Sequence, residues 1–135
     1  MIFSGRLQRW RPLLRWGAGI GIAGLLSIAA VQARESAPAS PSVPLAQLSP
    51  EAQLVHRQIL AGGPFAYPKD GIVFANRERL LPIERRGHYH EYTVAVPGAR
   101  DRGGRRIVCG GQRPTAPSAC YYTTDHYASF RHITP

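Results

Sequence analysis

Apolar residues fall at two different spacings along this chain. Between Ser49 and Gly63 they recur as Leu54, Val55 and Ile59, the spacing of one helix face. The flanks carry matching punctuation. Ser49 can accept the free N–H groups of a helix start, Pro50 suits the first helical position and Glu51 the positive end of the dipole. Gly62-Gly63-Pro64 ends the run. After Gly63 the period changes to two. In His90-Glu91-Tyr92-Thr93-Val94-Ala95-Val96, one face carries Tyr92, Val94 and Val96 and the other Glu91, Thr93 and Ala95. That alternation predicts an antiparallel strand with its large side chains on the core. Arg105 to Cys109 and Tyr121 to Phe130 are further β-rich runs, broken by Pro97-Gly98, Gly103-Gly104 and Gly110-Gly111. The expected fold is α+β: one N-terminal helix packed on one face of an antiparallel β-sheet, with the other face open to solvent.

The residues before this domain have another character. The start MIFSGRLQRWRPLLRW holds Arg6, Arg9, Arg11 and Arg15 and no acid, and Gly17 to Val31 is built only of Gly, Ala, Ile, Leu, Val and one Ser. With the small-x-small end Val31-Gln32-Ala33, this predicts a secretory signal peptide over 1–33. An uncleaved anchor is the competing reading, although spanning a bilayer takes about 20 apolar residues. Residues 34–47, rich in Pro, Ser and Ala, read as a semi-rigid linker. Residues 48–135 are then the domain. The expected product is secreted, extracellular or periplasmic, without stable membrane association once the signal is removed.

Charge decides little. After removal of 1–33 the remainder holds 13 basic and eight acidic side chains, a modest excess that suits an anionic partner but also an ordinary soluble protein. The two cysteines lack C-x-x-C spacing, which excludes a zinc finger. In an exported chain they are expected to pair. Arg105–Cys109 and the run from Cys120 read as adjacent antiparallel strands joined by a ten-residue loop, GGQRPTAPSA. Facing positions there lie within disulfide reach. The alternative is two free, buried thiols.

Glu91 sits mid-strand, where β propensity disfavours glutamate. A solvated carboxylate would explain it in isolation, but the chain also offers Arg102, Arg105 and Arg106 after a Gly-rich turn, and Asp125-His126-Tyr127 near its end. A carboxylate, guanidiniums and a histidine suffice for phosphodiester cleavage through a 2′-hydroxyl. One group removes the 2′-OH proton, another protonates the departing 5′-oxygen, and fixed cations hold the charge on phosphorus. Arginine suits the last task because its planar fork binds phosphate oxygens in pairs. This chemistry calls for no cofactor and no metal.

The run GPFAYPKDGIVFANRERLLPIERRGHYHEYTVAVPGARDRGGRRIV, followed by CYYTTDHYASFRHI, resembles the bacterial guanyl-specific ribonucleases related to barnase. The similarity covers Leu48 to Ile133, and its four motifs, DG-x-V-F-x-N-R-E, Y-H-E-Y-T-V, P-G-A-R-x-R-G-x-R-R-I and D-H-Y-A-x-F, are specific in combination and order. The resemblance implies the microbial ribonuclease fold and cleavage of single-stranded RNA 3′ to guanosine, through a 2′,3′-cyclic phosphate that is then hydrolysed. It makes Glu91 the general base, His126 the general acid, and Arg102 and Arg106 the phosphate-binding pair, with the Tyr127 hydroxyl also reaching phosphate. Glu78 matches the carboxylate that accepts guanine N1–H and N2–H₂ protons. Main-chain N–H groups around Asn76 and Arg77 match those that bind O6, and Phe74 and Arg77 flank the base. RNA enzymes commonly read an unstacked base by stacking and edge hydrogen bonds in this way. The implied partner is RNA, bound by a monomer, and a protein inhibitor is left open.

The chain departs from the family pattern at Ala75, where relatives commonly carry a polar residue, and at Asp101, which sets a carboxylate beside Arg102. Its cysteines bracket a loop rather than tying the chain ends together. His88 and His90 have a spacing that could chelate a metal, but His90 shares a face with Tyr92 and Val94 and reads better as a partly buried histidine. His56 is expected on the polar side of the helix. Arg85, Arg86 and Arg105 read as solvated or structural charges. A cationic RNA-binding module without turnover, or a nuclease toxin delivered into other cells, would share the fold. A pure binder, however, has no use for a carboxylate facing RNA phosphates.

Overall fold

The computed structural model describes residues 40–135, so the signal peptide, its cleavage and residues 34–39 of the expected linker lie outside the described residues. Helix α1 runs from Pro50 to Ala61 with Pro50 at its first turn. The Ser49 hydroxyl accepts the Ala52 N–H at 3.3 Å, which satisfies a donor that the helix itself cannot. Gly62 closes the other end in the left-handed region, φ 79°, where a side chain would be strained. The Gly63 N–H returns to the Gln58 carbonyl at 2.9 Å. The buried face of α1 is Ala52, Val55 and Ile59. Leu54, expected on that face, is 48% exposed; Ala52, three residues before Val55 and seven before Ile59, takes its place. His56, expected on the polar side, is half-buried, and burial lowers its pKa.

Six strands form one sheet: β1 Ser42–Pro44, β2 Ile72–Val73, β3 Tyr89–Thr93, β4 Arg106–Gly110, β5 Ala119–Thr123 and β6 Arg131–Thr134. Their order is β1-β6-β5-β4-β3-β2. All neighbours are antiparallel except β1, which pairs parallel to β6, Val43 facing Ile133. Residues 42–44 lie within the stretch expected to be a linker on composition, yet they complete the sheet edge and bury Val43 to 5% exposure.

The sheet buries both faces. Against α1 lie Tyr92, Ile107, Cys109, Cys120, Tyr122 and Ile133. The opposite face, expected to be open to solvent, carries a second cluster of Leu81, Tyr89, Val108, Tyr121 and Phe130. Two long connections, between β2 and β3 and between β5 and β6, supply Leu81 and Phe130 and cover that face. Cys109 and Cys120 face each other across β4 and β5 with Cα atoms 4.1 Å apart. They are disulfide-bonded, on the helix side of the sheet.

Candidate active site

The second face of the sheet positions the site. Glu91 and Thr93 point to this face from β3, with Val108 and Arg106 as their partners on β4. Strand positions two apart share a face, which is why the sequence alternation already separated Glu91 from Tyr92. Beyond this row opens a cleft of about 440 Å³, lined by Phe74, Ala75, Asn76, Arg77, Glu78, Leu80, His126, Tyr127, Ala128 and Phe130. Phe74, Asn76, Arg77 and Glu78, the residues expected to touch a base, all lie along one wall of this cleft. Glu91, Arg102 and Arg106 are not among its walls; Glu91 and Arg106 adjoin it at Tyr127.

The wall after β2 is a loop held from within. The Asn76 side-chain amide donates to the Leu81 carbonyl at 3.0 Å, and its oxygen accepts the Leu81 N–H at 3.2 Å. The Tyr89 hydroxyl donates to the Pro82 carbonyl at 2.6 Å. Asn76 itself has φ 49°, a left-handed position that asparagine tolerates better than most residues. Its side chain is engaged with Leu81, so the group at Asn76 left to meet a ligand is the main chain. Phe74 stacks against Tyr127, ring centroids 5.2 Å apart, and the two rings bridge the loop wall to the facing turn.

That facing turn, Thr124 to Ser129, carries His126 and Tyr127 with φ 54° and 69°. Two consecutive non-glycine residues with positive φ are uncommon and often mark functional sites. The His126 N–H donates to the Gly104 carbonyl at 3.0 Å. The approach leaves little room at Gly104: a Cβ there would stand 3.2 Å from the Thr124 carbonyl oxygen and 3.3 Å from the His126 nitrogen, so the turn would have to give by a few tenths of an ångström. The Asp125 carboxylate accepts from the hydroxyls of Ser129 and Thr123 and from the Ser129 N–H. These bonds hold its pKa down to about 2.

Tyr127 links the cleft to the charged row. The Arg106 guanidinium lies 5.9 Å from the centre of its ring, and Glu91 is close enough to act on its hydroxyl electrostatically. Burial, then the charge and acceptor oxygen of Glu91, push the phenol above its usual pKa, and Arg106 opposes them. Arg106 is 2% exposed. One of its terminal nitrogens donates to the carbonyls of Arg102, Gly103 and Arg105, while its Nε is buried without a partner. An unpaired buried donor on a cation is costly, and an anionic oxygen would remove that cost. Arg102 is held by Thr93, whose hydroxyl accepts from Nε at 3.0 Å and from a terminal nitrogen at 2.6 Å, and its guanidinium lies 5.8 Å from the centre of the Tyr67 ring. Asp101 turns its carboxylate to the Gly103 N–H at 2.9 Å, closing the turn that precedes β4. Among the described residues no group of three or more His, Cys, Asp or Glu could hold a metal ion.

A family model described as ribonuclease matches residues 31–134. The chain belongs to this ribonuclease family. Guanyl-specific ribonuclease Sa of Kitasatospora aureofaciens is 52% identical over 91 residues, 67% of this chain and 91% of that protein. Guanyl-specific ribonuclease St of Saccharopolyspora erythraea is 51% identical over 89 residues, 66% of this chain and 83% of that protein. Among solved structures, ribonuclease Sa2 with guanosine-2′-cyclophosphate superposes with a TM-score of 0.65 at 43% identity, over 72% of this chain and 98% of that one. Its complexes with mononucleotides give 0.67 at 44% identity, over 73% and 97%.

Several residues that shape the ribonuclease site carried no signal when taken one at a time: Thr93, Thr123, Asp125, Ser129 and the side chain of Asn76. The hydroxyls look ordinary in a β-rich sequence, and their partners are separated by turns or lie on other strands. A search for polar residues at inward-facing strand positions would have found Thr93 and Thr123.

Proposed function

We infer that this chain is a guanyl-specific endoribonuclease, which cleaves single-stranded RNA 3′ to guanosine by transesterification to a 2′,3′-cyclic phosphate and then hydrolyses that ester. The observation that carries the reading is the continuity of the site. A cleft walled by Phe74 to Glu78 on one side and by His126 and Tyr127 on the other meets the charged groups at Tyr127, whose ring lies beside Arg106 and whose hydroxyl feels Glu91. The guanyl-specific relatives and the nucleotide-bound ribonuclease Sa2 structures support the same substrate.

In this reading guanine enters between Phe74 and Arg77, its O6 meets main-chain N–H groups at Asn76 and Arg77, and the Glu78 carboxylate accepts the N1 and N2 protons. The Glu91 carboxylate removes the 2′-OH proton and O2′ attacks phosphorus. The P–O5′ bond breaks as protonated His126 gives its proton to O5′. Arg102, Arg106 and the Tyr127 hydroxyl hold the phosphate oxygens, supplying charge where it accumulates. Hydrolysis runs in reverse with water in place of O5′: His126 takes the proton of water, and Glu91 returns its proton to O2′ as the cyclic bond opens. The Cys109–Cys120 bond is consistent with an extracellular location. The full reading adds removal of 1–33 and action as a monomer, since one chain contributes every group invoked.

Comparing turnover of the four dinucleoside monophosphates that differ in the 5′ base tests the assignment. GpN is expected to be cleaved far faster than ApN, CpN or UpN. Replacing Glu78 by Ala is expected to erase most of that preference, because a site built on base hydrogen bonds discriminates through them. Equal cleavage of all four by the unmodified protein would refute it.

A further inference from the structure

Among the described residues, the buried polar and charged side chains are Thr93, Arg106 and Thr123. Strand register sets them side by side: Thr93 faces Arg106 across β3 and β4, and Arg106 faces Thr123 across β4 and β5. Burying such groups is unfavourable unless each is hydrogen-bonded, so where their bonds go shows what the row supports. Thr93 holds Arg102. Arg106 tethers the carbonyls before its own strand. Thr123 serves the other side. Its hydroxyl donates to Asp125 Oδ1 at 2.8 Å and accepts the N–H groups of Tyr127 at 3.2 Å and Asp125 at 3.4 Å. Asp125 completes the clasp by accepting from the Ser129 N–H at 2.9 Å and the Ser129 hydroxyl at 2.5 Å.

The clasp encloses the left-handed pair His126 and Tyr127. No hydrogen bond to the His126 imidazole exists among the described residues, and the side chain is exposed. With no hydrogen bond on its ring, which lies 4.9 Å from that of Tyr127, the imidazole is aimed by the backbone of the turn that carries both rings. That backbone is held at three points: the His126 N–H on the Gly104 carbonyl, the Tyr127 N–H on Thr123, and the Ser129 N–H on Asp125. L residues adopt this conformation only where surrounding bonds impose it.

We propose that Thr123 and Asp125 are positioning residues for the cleavage reaction, fixing the left-handed His126–Tyr127 turn so that the imidazole faces the scissile phosphate and the Tyr127 ring stays beside Arg106. The proposal rests on His126 acting as the general acid. The guanine-binding loop stands on other supports, Asn76 and Tyr89. Loosening the clasp therefore acts on the chemical step far more than on base binding.

The test compares steady-state kinetics on a guanylyl dinucleoside monophosphate, together with thermal unfolding and binding of guanosine 3′-monophosphate. The proteins are the unmodified chain, Thr123→Val, Thr123→Ser, Asp125→Asn and His126→Ala. Valine keeps the shape of threonine and removes its hydroxyl; serine keeps the hydroxyl. Asp125→Asn weakens the clasp from its exposed side, where folding is least at risk. The expected result is a fall in kcat on the order of 10–100-fold for Thr123→Val and Asp125→Asn, with KM nearly unmoved, the loss that misplacing a catalytic group produces. Thr123→Ser restores kcat. Unchanged kcat in Thr123→Val, or Thr123→Ser as slow as Thr123→Val, overturns the proposal, the latter by assigning the loss to packing. A kcat loss that only follows the unfolded fraction overturns it as well. If His126→Ala is inactive while Thr123→Val is fully active, the clasp alone is refuted. An inactive unmodified protein refutes the ribonuclease reading and the clasp with it.

Discussion

From Phe74 to Pro82 the cleft is a loop, most of it exposed, shaped by one asparagine side chain and one tyrosine hydroxyl. At its other end the groups assigned to chemistry stand on β3 and β4, in the turn before β4, or on a turn clasped to β5, within or beside a row of buried polar side chains. The contrast follows from what each end must do. Reading a base needs main-chain N–H groups and an acceptor at the edge of a plane, and a loop presents these because its backbone is not consumed by a sheet. Proton transfer and phosphate binding need fixed positions, and misplacement by about 1 Å can cost on the order of 100-fold. Strands supply that rigidity. Specificity and turnover should therefore be separable by mutation.

The largest effects belong to the strand end. Glu91→Gln and His126→Ala are each expected to lower kcat on an RNA substrate by at least about 10²-fold, with thermal unfolding and guanosine 3′-monophosphate binding little changed. Near-normal turnover in either variant would remove that residue from its role. At the loop end, Asn76→Ala breaks two hydrogen bonds to Leu81. Each is worth roughly 1 kcal/mol, so KM for a guanylyl substrate should rise while kcat at saturation falls less. A pure kcat effect would show that the two ends are not separable.

Much of this molecule is legible before any coordinates. The helix could be bounded from Ser49-Pro50-Glu51 and Gly62-Gly63-Pro64 because its ends are local chemistry, and β3 could be read because alternation is local too. β1 could not, since three residues in a Pro- and Ser-rich stretch become a strand only by pairing with β6, some 90 residues later. The covered second face was missed for a related reason. Leu81 and Phe130 arrive from long connections, and nothing in their own segments says which sheet face they cover. Placing Leu54 in the core followed the large apolar side chains alone, which passes over Ala52 on the buried face. The candidate site residues stand in motifs that can be read along the chain, while the hydroxyls beneath them reveal their purpose only through register.

Two smaller effects probe what holds the strand end together. The Cys109–Cys120 bond closes an 11-residue separation between β4 and β5, worth roughly 3 kcal/mol on the chain-entropy account. Reduction, or replacing both cysteines by Ala, is expected to lower the melting temperature clearly while base preference stays as it was. An unmoved melting temperature would make the bond incidental. Asp125 gives the smallest signal. Its folded pKa near 2 lies below the ordinary 3.8, so the unfolded chain takes up the proton first as pH falls. Its contribution is complete above the ordinary value and disappears as pH drops through about 2. Melting the unmodified chain and Asp125→Asn from neutral pH down to about 2 should show a gap that closes at the acid end. A gap constant throughout would mean that the carboxylate's charge is not what holds the turn.

Digestion of one RNA of defined sequence in EDTA, with both product ends mapped over time, tests the central claim most directly. The account predicts fragments ending in guanosine, first with a 2′,3′-cyclic phosphate and later with a 3′-phosphate, and 5′-hydroxyl ends on the downstream pieces. Cleavage spread evenly over all four bases, or products with 5′-phosphate ends, would contradict it.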